Sequence, residues 1–337
     1  MLVNILWAIF LGVVEGVTEW LPVSSTGHLI LLQSLLDISL CDGLSPELYA
    51  EFCEMFDVII QLGAILAVVV RFFSRLWPLE TVREGGSSCD SQGASCNNGI
   101  VSGTNSVLSA AREGSERRNS RSRLPALRLR RETVRLWGLI LAASLPAAIA
   151  GLVIDRLIEH ATGRDIDGWL YNPPVVAAAL IAYGVLFILT EKLHRRSPVV
   201  LTADSLGTGR AAGIGVCQMM AIIPGTSRSG ATILGAMLLG LSRTAAAEFS
   251  FLMAVPAMAG AGLVKALGFA QFVSQNHACV PLRAWIVLAT AALTAFTVST
   301  VTIGFLTDFV KKHTFAGFGV YRIILGAAVL IYYFWGT

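Results

Sequence analysis

The chain has 337 residues, of which 55% are hydrophobic and only 14% charged, with a formal net charge of +3. Soluble domains carry about 25% charged residues, so this deficit excludes an ordinary water-surrounded fold and points to lipid as the solvent. The six cysteines form no CxxC pair, which removes zinc and thioredoxin-type chemistry, and the small net charge gives no reason to expect a nucleic-acid partner.

The first apolar run, Leu2 to Val17, lacks a basic leader and runs straight into Glu15 and Glu19. It is therefore expected to belong to the mature fold rather than to a cleaved signal. Residues 3–38 are apolar but broken by Glu19-Trp-Leu-Pro-Val-Ser-Ser-Thr-Gly-His28. Full-length apolar segments follow at 53–73 and 133–155, then at 174–191, and each is long enough to cross a core of about 30 Å. A second broken region, 210–241, is interrupted by Ile223-Pro-Gly-Thr-Ser-Arg-Ser-Gly-Ala-Thr232. Three more spans are predicted at 246–270, 284–307 and 317–335.

The flanks of each break are too short to span alone. Two re-entrant hairpins are expected, because irregular backbone at membrane depth is tolerated only where protein or a watery cavity surrounds it. At an offset of 203 residues, Gly12, Val13, Ser24, Gly27, Ile30, Leu31, Leu35 and Leu36 coincide with identical residues, and Glu15 falls on Gln218. A hairpin plus three spans crosses an odd number of times, so the halves are expected to be inverted repeats with a site between their broken helices. The predicted fold class is thus an all-α polytopic membrane protein. Its membrane domain comprises 1–80, 132–155 and 156–337, divided by a segment at 81–131.

That segment is rich in Gly, Ser, Asn and Arg, with nine arginines against four acids over 82–131. It is expected to be a disordered, basic cytoplasmic insertion. Lys192, Arg195, Arg196, Arg243, Lys311 and Lys312 fall on the same side of the predicted topology, and Asp37, Asp42, Glu47, Glu51 and Glu54 on the other. Positive-inside then places both termini outside.

The breaks carry the chemistry. Glu15 and Glu19 are four residues apart and share a helix face. Two carboxylates in an apolar segment are either a helix end reaching interface water or a site for a proton or a hard divalent cation, Mg²⁺ or Ca²⁺. Pro22 stops the helix, and Ser24, Ser25, Thr26 and His28 stand where the next one starts, a ready anion site. His28 within reach of Ser24 or Ser25 would act as general base. In the second break Arg228 replaces the His. It is either an ion-pair partner of Glu15 or Glu19 or a fork for phosphate, with Ser227, Ser229 and Thr232 as further donors. Acids, His and hydroxyls facing an Arg cradle suit phosphoryl transfer.

Glu15-Gly-Val-Thr-Glu-Trp-Leu-Pro-Val-Ser-Ser-Thr-Gly-His28 and Pro224-Gly-Thr-Ser-Arg-Ser-Gly-Ala-Thr232 resemble the two signature motifs of the undecaprenyl-diphosphatase, or bacitracin-resistance, family. The resemblance extends to Phe56-Asp-Val-Ile-Ile-Gln-Leu-Gly-Ala-Ile-Leu-Ala67 and Ala247-Glu-Phe-Ser-Phe-Leu-Met-Ala-Val-Pro256. It covers nearly the whole chain apart from 81–131, which departs from shorter members, and part of 38–50. It implies hydrolysis of undecaprenyl diphosphate to undecaprenyl phosphate and phosphate in a bacterial inner membrane, with the site open to the periplasmic face. It also implies dependence on a divalent cation, and resistance to bacitracin.

Carried over by position, Glu15 and Glu19 are the metal- or substrate-binding acids. Ser25 is the nucleophile or a phosphate ligand, His28 the base or proton shuttle, and Arg228 the phosphate holder. Ser24, Thr26, Ser227, Ser229 and Thr232 are supporting donors. Expected partners are the diphosphate lipid and membrane lipid, and a homodimer is compatible with the sequence. A polyprenyl-phosphate transporter is the alternative, because broken helices in inverted repeats are also transporter architecture.

Overall fold

A computed structural model describes residues 1–36, 40–41, 43–82, 126–162, 172–193, 200 and 202–335. Eleven α-helices are seen among them. Helix α1 is Leu2–Thr18, α2 Ser25–Leu35, α3 Pro46–Arg71 and α4 Phe73–Leu76. Helix α5 is Arg131–Thr162 and α6 Pro173–Leu193. Helix α7, Thr208–Met219, runs into a 3₁₀ turn at Met220–Ile222. Helix α8 is Arg228–Leu238, α9 Arg243–Gln275, α10 Leu282–Lys312 and α11 Ala316–Trp335. Among the described residues six helices are long and apolar enough to cross a membrane: α3, α5, α6, α9, α10 and α11. The chain is a multi-pass, all-α membrane protein.

Two compact units are distinguished. Met1–Leu76 with Arg135–Thr337 is the helical body, and Trp77–Val134 is the other. In the smaller unit β1 (Leu79–Val82) pairs antiparallel with β2 (Ala126–Leu129), Leu79 opposite Leu129. The edges of the predicted 81–131 insertion are therefore strand and helix start; its interior, 83–125, lies outside the described residues.

Local signals set the helix limits. Ser45 caps α3, its Oγ accepting from the Leu48 N–H at 3.3 Å, with Pro46 in the first turn. The helix thus begins seven residues before the apolar segment starting at 53. Glu47 and Glu51, which precede that predicted span, and Glu54 at its start lie on the first turns of the helix. Ser242 caps α9 in the same way, and Lys311 and Lys312 in the last turn of α10 complement its dipole. Helices α5 and α9 continue through Pro146 and Pro256, as transmembrane helices often do.

Helix packing relies on small residues, because lipid offers no hydrophobic drive between helices and close backbone approach must supply the attraction. A Cβ at Gly12 of α1 would stand 2.6 Å from the Ala291 carbonyl oxygen on α10, and one at Gly215 of α7 would stand 2.2 Å from that of Ala143 on α5. Helices α6 and α11 meet through Gly184 and Gly319, each facing the other's carbonyl oxygen. Gly63 of α3 sits against α10, where a Cβ would come within 2.3 Å of the Ala292 carbonyl oxygen. Gly63→Leu is expected to force these backbones apart and to cost about 3 kcal/mol, in the range of severe overpacking. Thermal melting in detergent would read this, and an unchanged midpoint would refute the contact.

The interior is apolar and well filled. Trp20 is fully buried and meets Phe251 edge-on at 5.4 Å between ring centroids. Leu141, Leu145, Ile149 and Leu152 on α5, and Leu263, Val264 and Leu267 on α9, are exposed, which is stable only with lipid as neighbour.

Candidate active site

The two breaks fold alike. Ser24 precedes α2 with φ 78° and Ser227 precedes α8 with φ 69°, in the left-handed region that non-glycine residues rarely enter. Such strain persists where the surroundings over-determine it, commonly at functional sites. Both seryl Oγ atoms accept from the N–H three residues on, Gly27 at 3.2 Å and Gly230 at 3.1 Å. Each break ends in an 11-residue helix, α2 or α8, starting at the equivalent position of the 203-residue offset. Helices α7 and α8 turn back on each other, with Gly235 against the Cys217 side chain.

Arg322 of α11 joins the breaks. This side chain is fully buried. Its Nη1 donates to the Pro22 carbonyl at 3.1 Å, and Nη2 donates to those of Gly225 and Thr226 at 2.7 and 2.9 Å. The guanidinium also lies 5.5 Å from the Tyr183 ring centroid, a cation–π contact. Sequence reasoning missed Arg322, although a lone arginine within a 20-residue apolar helix was the available signal. Ser229 adds a second tie: its Oγ donates to the Glu19 carbonyl at 3.0 Å.

Between the breaks lies a cavity of about 110 Å³. Its polar lining is Glu19, Ser24, Ser25, Gln61, Ser227 and Arg228; Ala221, Ile222, Ile223, Pro224, Gly225 and Met258 complete the wall. Ser25 Oγ donates to Glu19 Oε2 at 2.5 Å, and Arg228 Nη2 donates to Glu19 Oε1 at 3.1 Å. Arg228 Nη1 donates to the Ser250 carbonyl at 3.1 Å, while Nε is buried without a partner. One carboxylate thus holds both a hydroxyl and a guanidinium at the cavity wall. Both open readings of Arg228 meet here, since it pairs with Glu19 and faces the cavity.

Three expected positions differ. His28 does not reach Ser25. Its Nδ1 is 2.6 Å from the Ser24 carbonyl oxygen, which only accepts, so Nδ1 carries the proton and Nε2 accepts from the Tyr321 hydroxyl at 2.7 Å. One turn along α2 separates it from Ser24 and Ser25, and with Leu31 and Leu32 it lines a different, almost wholly apolar cavity of about 650 Å³. The side chain that meets the Ser25 hydroxyl is instead the Glu19 carboxylate. Thr232 is fully buried, its Oγ1 donating to the Arg228 carbonyl at 2.9 Å and lying 2.6 Å from Ser250 Oγ. Ser229 is also buried, so both brace the break rather than face the cavity. The Thr26 side chain lies outside the described residues.

Glu15 is fully buried, and neither carboxylate oxygen has a hydrogen-bond partner. Glu19, Asp57 and Arg228 are its charged neighbours. A carboxylate so placed is costly unless a proton or a cation neutralises it, and the oxygens of Glu15 and Glu19 are of the type a hard divalent ion would take. Among the described residues no three His, Cys, Asp or Glu side chains converge into a ready-made metal cage. Phosphate and water oxygens would complete the shell, as is usual for Mg²⁺.

The model of the family described as bacitracin resistance protein BacA matches residues 8–328. The chain belongs to this family. It is 39% identical to the undecaprenyl-diphosphatase of Acetivibrio thermocellus over 98% of both chains. It is 38% identical to that of Enterococcus faecalis, covering 98% of this chain and 97% of that one. With that of Lactococcus lactis subsp. cremoris the identity is 40%, over 96% and 95%.

Proposed function

We infer that the chain is an undecaprenyl-diphosphatase, releasing phosphate from undecaprenyl diphosphate, returning undecaprenyl phosphate to cell-wall synthesis and conferring bacitracin resistance. The observation that carries this reading is the Ser25–Glu19–Arg228 contact on one buried cavity. An anion carrier needs the arginine and free N–H groups; it does not need a hydroxyl held on a carboxylate. The relatives compared above bear the phosphatase name, and nothing in the site favours the transporter alternative.

Ser25 Oγ attacks the terminal phosphorus while its proton passes to Glu19 Oε2. The bond from that phosphorus to the bridging oxygen breaks, and the electron pair leaves with the polyprenyl phosphate. Water then attacks the phosphoserine, and Ser25 Oγ leaves and recovers its proton from Glu19. Arg228 turns its guanidinium from Glu19 to the phosphoryl oxygens, where charge develops. Glu15 and Glu19 would hold a divalent cation, Mg²⁺ or Ca²⁺, which when bound neutralises diphosphate oxygens. The isoprenoid chain suits the apolar cavity lined by Phe10, Val13, Val17 and Leu325, with His28 and Tyr321 as its polar pair.

Two finer features belong to the same reading. The halves are inverted repeats, supported by the matched strained caps and by the equivalent pair Gly12 and Gly215, each packed on a long helix of the other half. The cavity opens to the acidic, periplasmic side of a bacterial inner membrane. Support comes from the partly exposed Lys265–Glu54 ion pair, seven residues, or about 10 Å of helix, from Met258 and Gln61.

Phosphate release by the purified protein from a polyprenyl diphosphate is the test. Arg228→Ala is expected to lower kcat/KM about 1,000-fold, as loss of a transition-state clamp does, and EDTA to stop release by the parent protein. No release from well-folded protein with Mg²⁺ or Ca²⁺ would overturn the reading.

A further inference from the structure

We propose that Gln61 positions the water that attacks phosphorus, an inference that rests on the phosphatase reading. Gln61 sits on α3 between Ile60 and Leu62 and contributes the cavity's only amide side chain. The other polar walls are committed. Ser24 and Ser227 cap helices, and Ser25 and Arg228 hold Glu19. Among the described residues the Gln61 amide has no hydrogen bond to the protein. An uncommitted amide within an apolar span is expensive to keep, and its natural partners are water and phosphate.

Its backbone is also held firmly. The neighbouring Gly63 lies against the Ala292 carbonyl, and Leu62 packs where Gly262 has no side chain. Helix α3 is thereby pinned from α10 and α9 at the level of the amide. An amide can accept from water through Oε1 while donating to a phosphoryl oxygen through Nε2. It thus places the water without taking its proton. With His28 turned to Tyr321, no other described side chain on this wall is uncommitted and able to do so. Water oxygen forms the new bond to phosphorus, the bond to Ser25 Oγ breaks, and both water protons leave with the phosphate.

The experiment uses full-length protein in detergent, saturating divalent cation, and water competing with methanol as phosphoryl acceptor. Gln61→Leu is expected to lower kcat about 100-fold with KM within about 3-fold. The ratio of methyl phosphate to inorganic phosphate is expected to rise about 5-fold or more, because water loses its fixed place. Gln61→Glu keeps the size and the acceptor but not the donor. It should fall between parent and Leu on both readouts, and it carries the test if the Leu variant fails to fold. An unchanged product ratio in the folded variants, whether kcat or the melting temperature falls or not, would overturn the proposal. A parent protein that releases no phosphate overturns the phosphatase reading itself, which separates the two failures.

Discussion

Arg322→Leu is expected to produce the largest loss of stability of any single substitution in the helical body. The guanidinium is fully buried and holds the carbonyls of Pro22, Gly225 and Thr226. Those carbonyls lie in the breaks, where no helix ladder can satisfy them. Removing the donor leaves three buried acceptors unpaired, each costing about 1–3 kcal/mol. A total of about 3–9 kcal/mol follows from the same range, which is a large share of a typical domain's 5–15 kcal/mol. Arg322→Lys retains charge but presents one ammonium where a planar fork spans two breaks, so it should recover only part of the loss. Thermal melting of the purified protein checks both variants. Since the fork also sets the distance between Ser25 and Arg228, activity should fall with stability. A Leu variant as stable as the parent would show that the breaks hold together without Arg322.

Glu19→Gln should lower activity as far as Arg228→Ala does. Glu19 accepts from Ser25 at 2.5 Å and from Arg228 at 3.1 Å. The amide keeps the size of the side chain and an acceptor oxygen for one of these contacts, but it cannot take the serine proton. General-base catalysis contributes about 10²–10⁴-fold. A fall in kcat of about 10³-fold is therefore expected, together with a lower melting temperature from the loss of the buried ion pair with Arg228. Steady-state phosphate release and melting, measured on the same preparation, separate chemistry from folding. A Gln variant retaining a tenth or more of the parent kcat would remove Glu19 from the role of base.

Much of the site was legible in the chain. Charge, hydroxyls, Pro and Gly inside apolar runs are costly in lipid, so Glu15, Glu19, Ser25 and Arg228 stood out without coordinates. The offset of 203 residues foretold that Ser24 and Ser227 occupy equivalent places, and both carry the same strained cap. What misled was proximity in sequence. His28 is three residues from Ser25, a spacing at which two helical side chains can meet, but other partners take it. The Ser24 carbonyl and Tyr321 draw the imidazole to a second cavity. Thr232 and Ser229 shared a motif with Arg228 yet serve the backbone, because hydroxyls in apolar helices seek nearby carbonyls.

Composition and periodicity by themselves determined that the chain lives in lipid as a bundle of long apolar helices with two interruptions. Those facts follow from local transfer free energies and from the requirement that every backbone group be satisfied within its own segment. Tertiary structure alone decided which side chains meet. Glu19 receives Ser25 from its own hairpin and Arg228 from 209 residues away, Arg322 crosses from the last helix to both breaks, and Gln61 reaches the cavity from α3. These partners are chosen by glycine contacts that fix how closely and at what rotation the helices pack, and rotation about a helix axis leaves no mark on hydropathy.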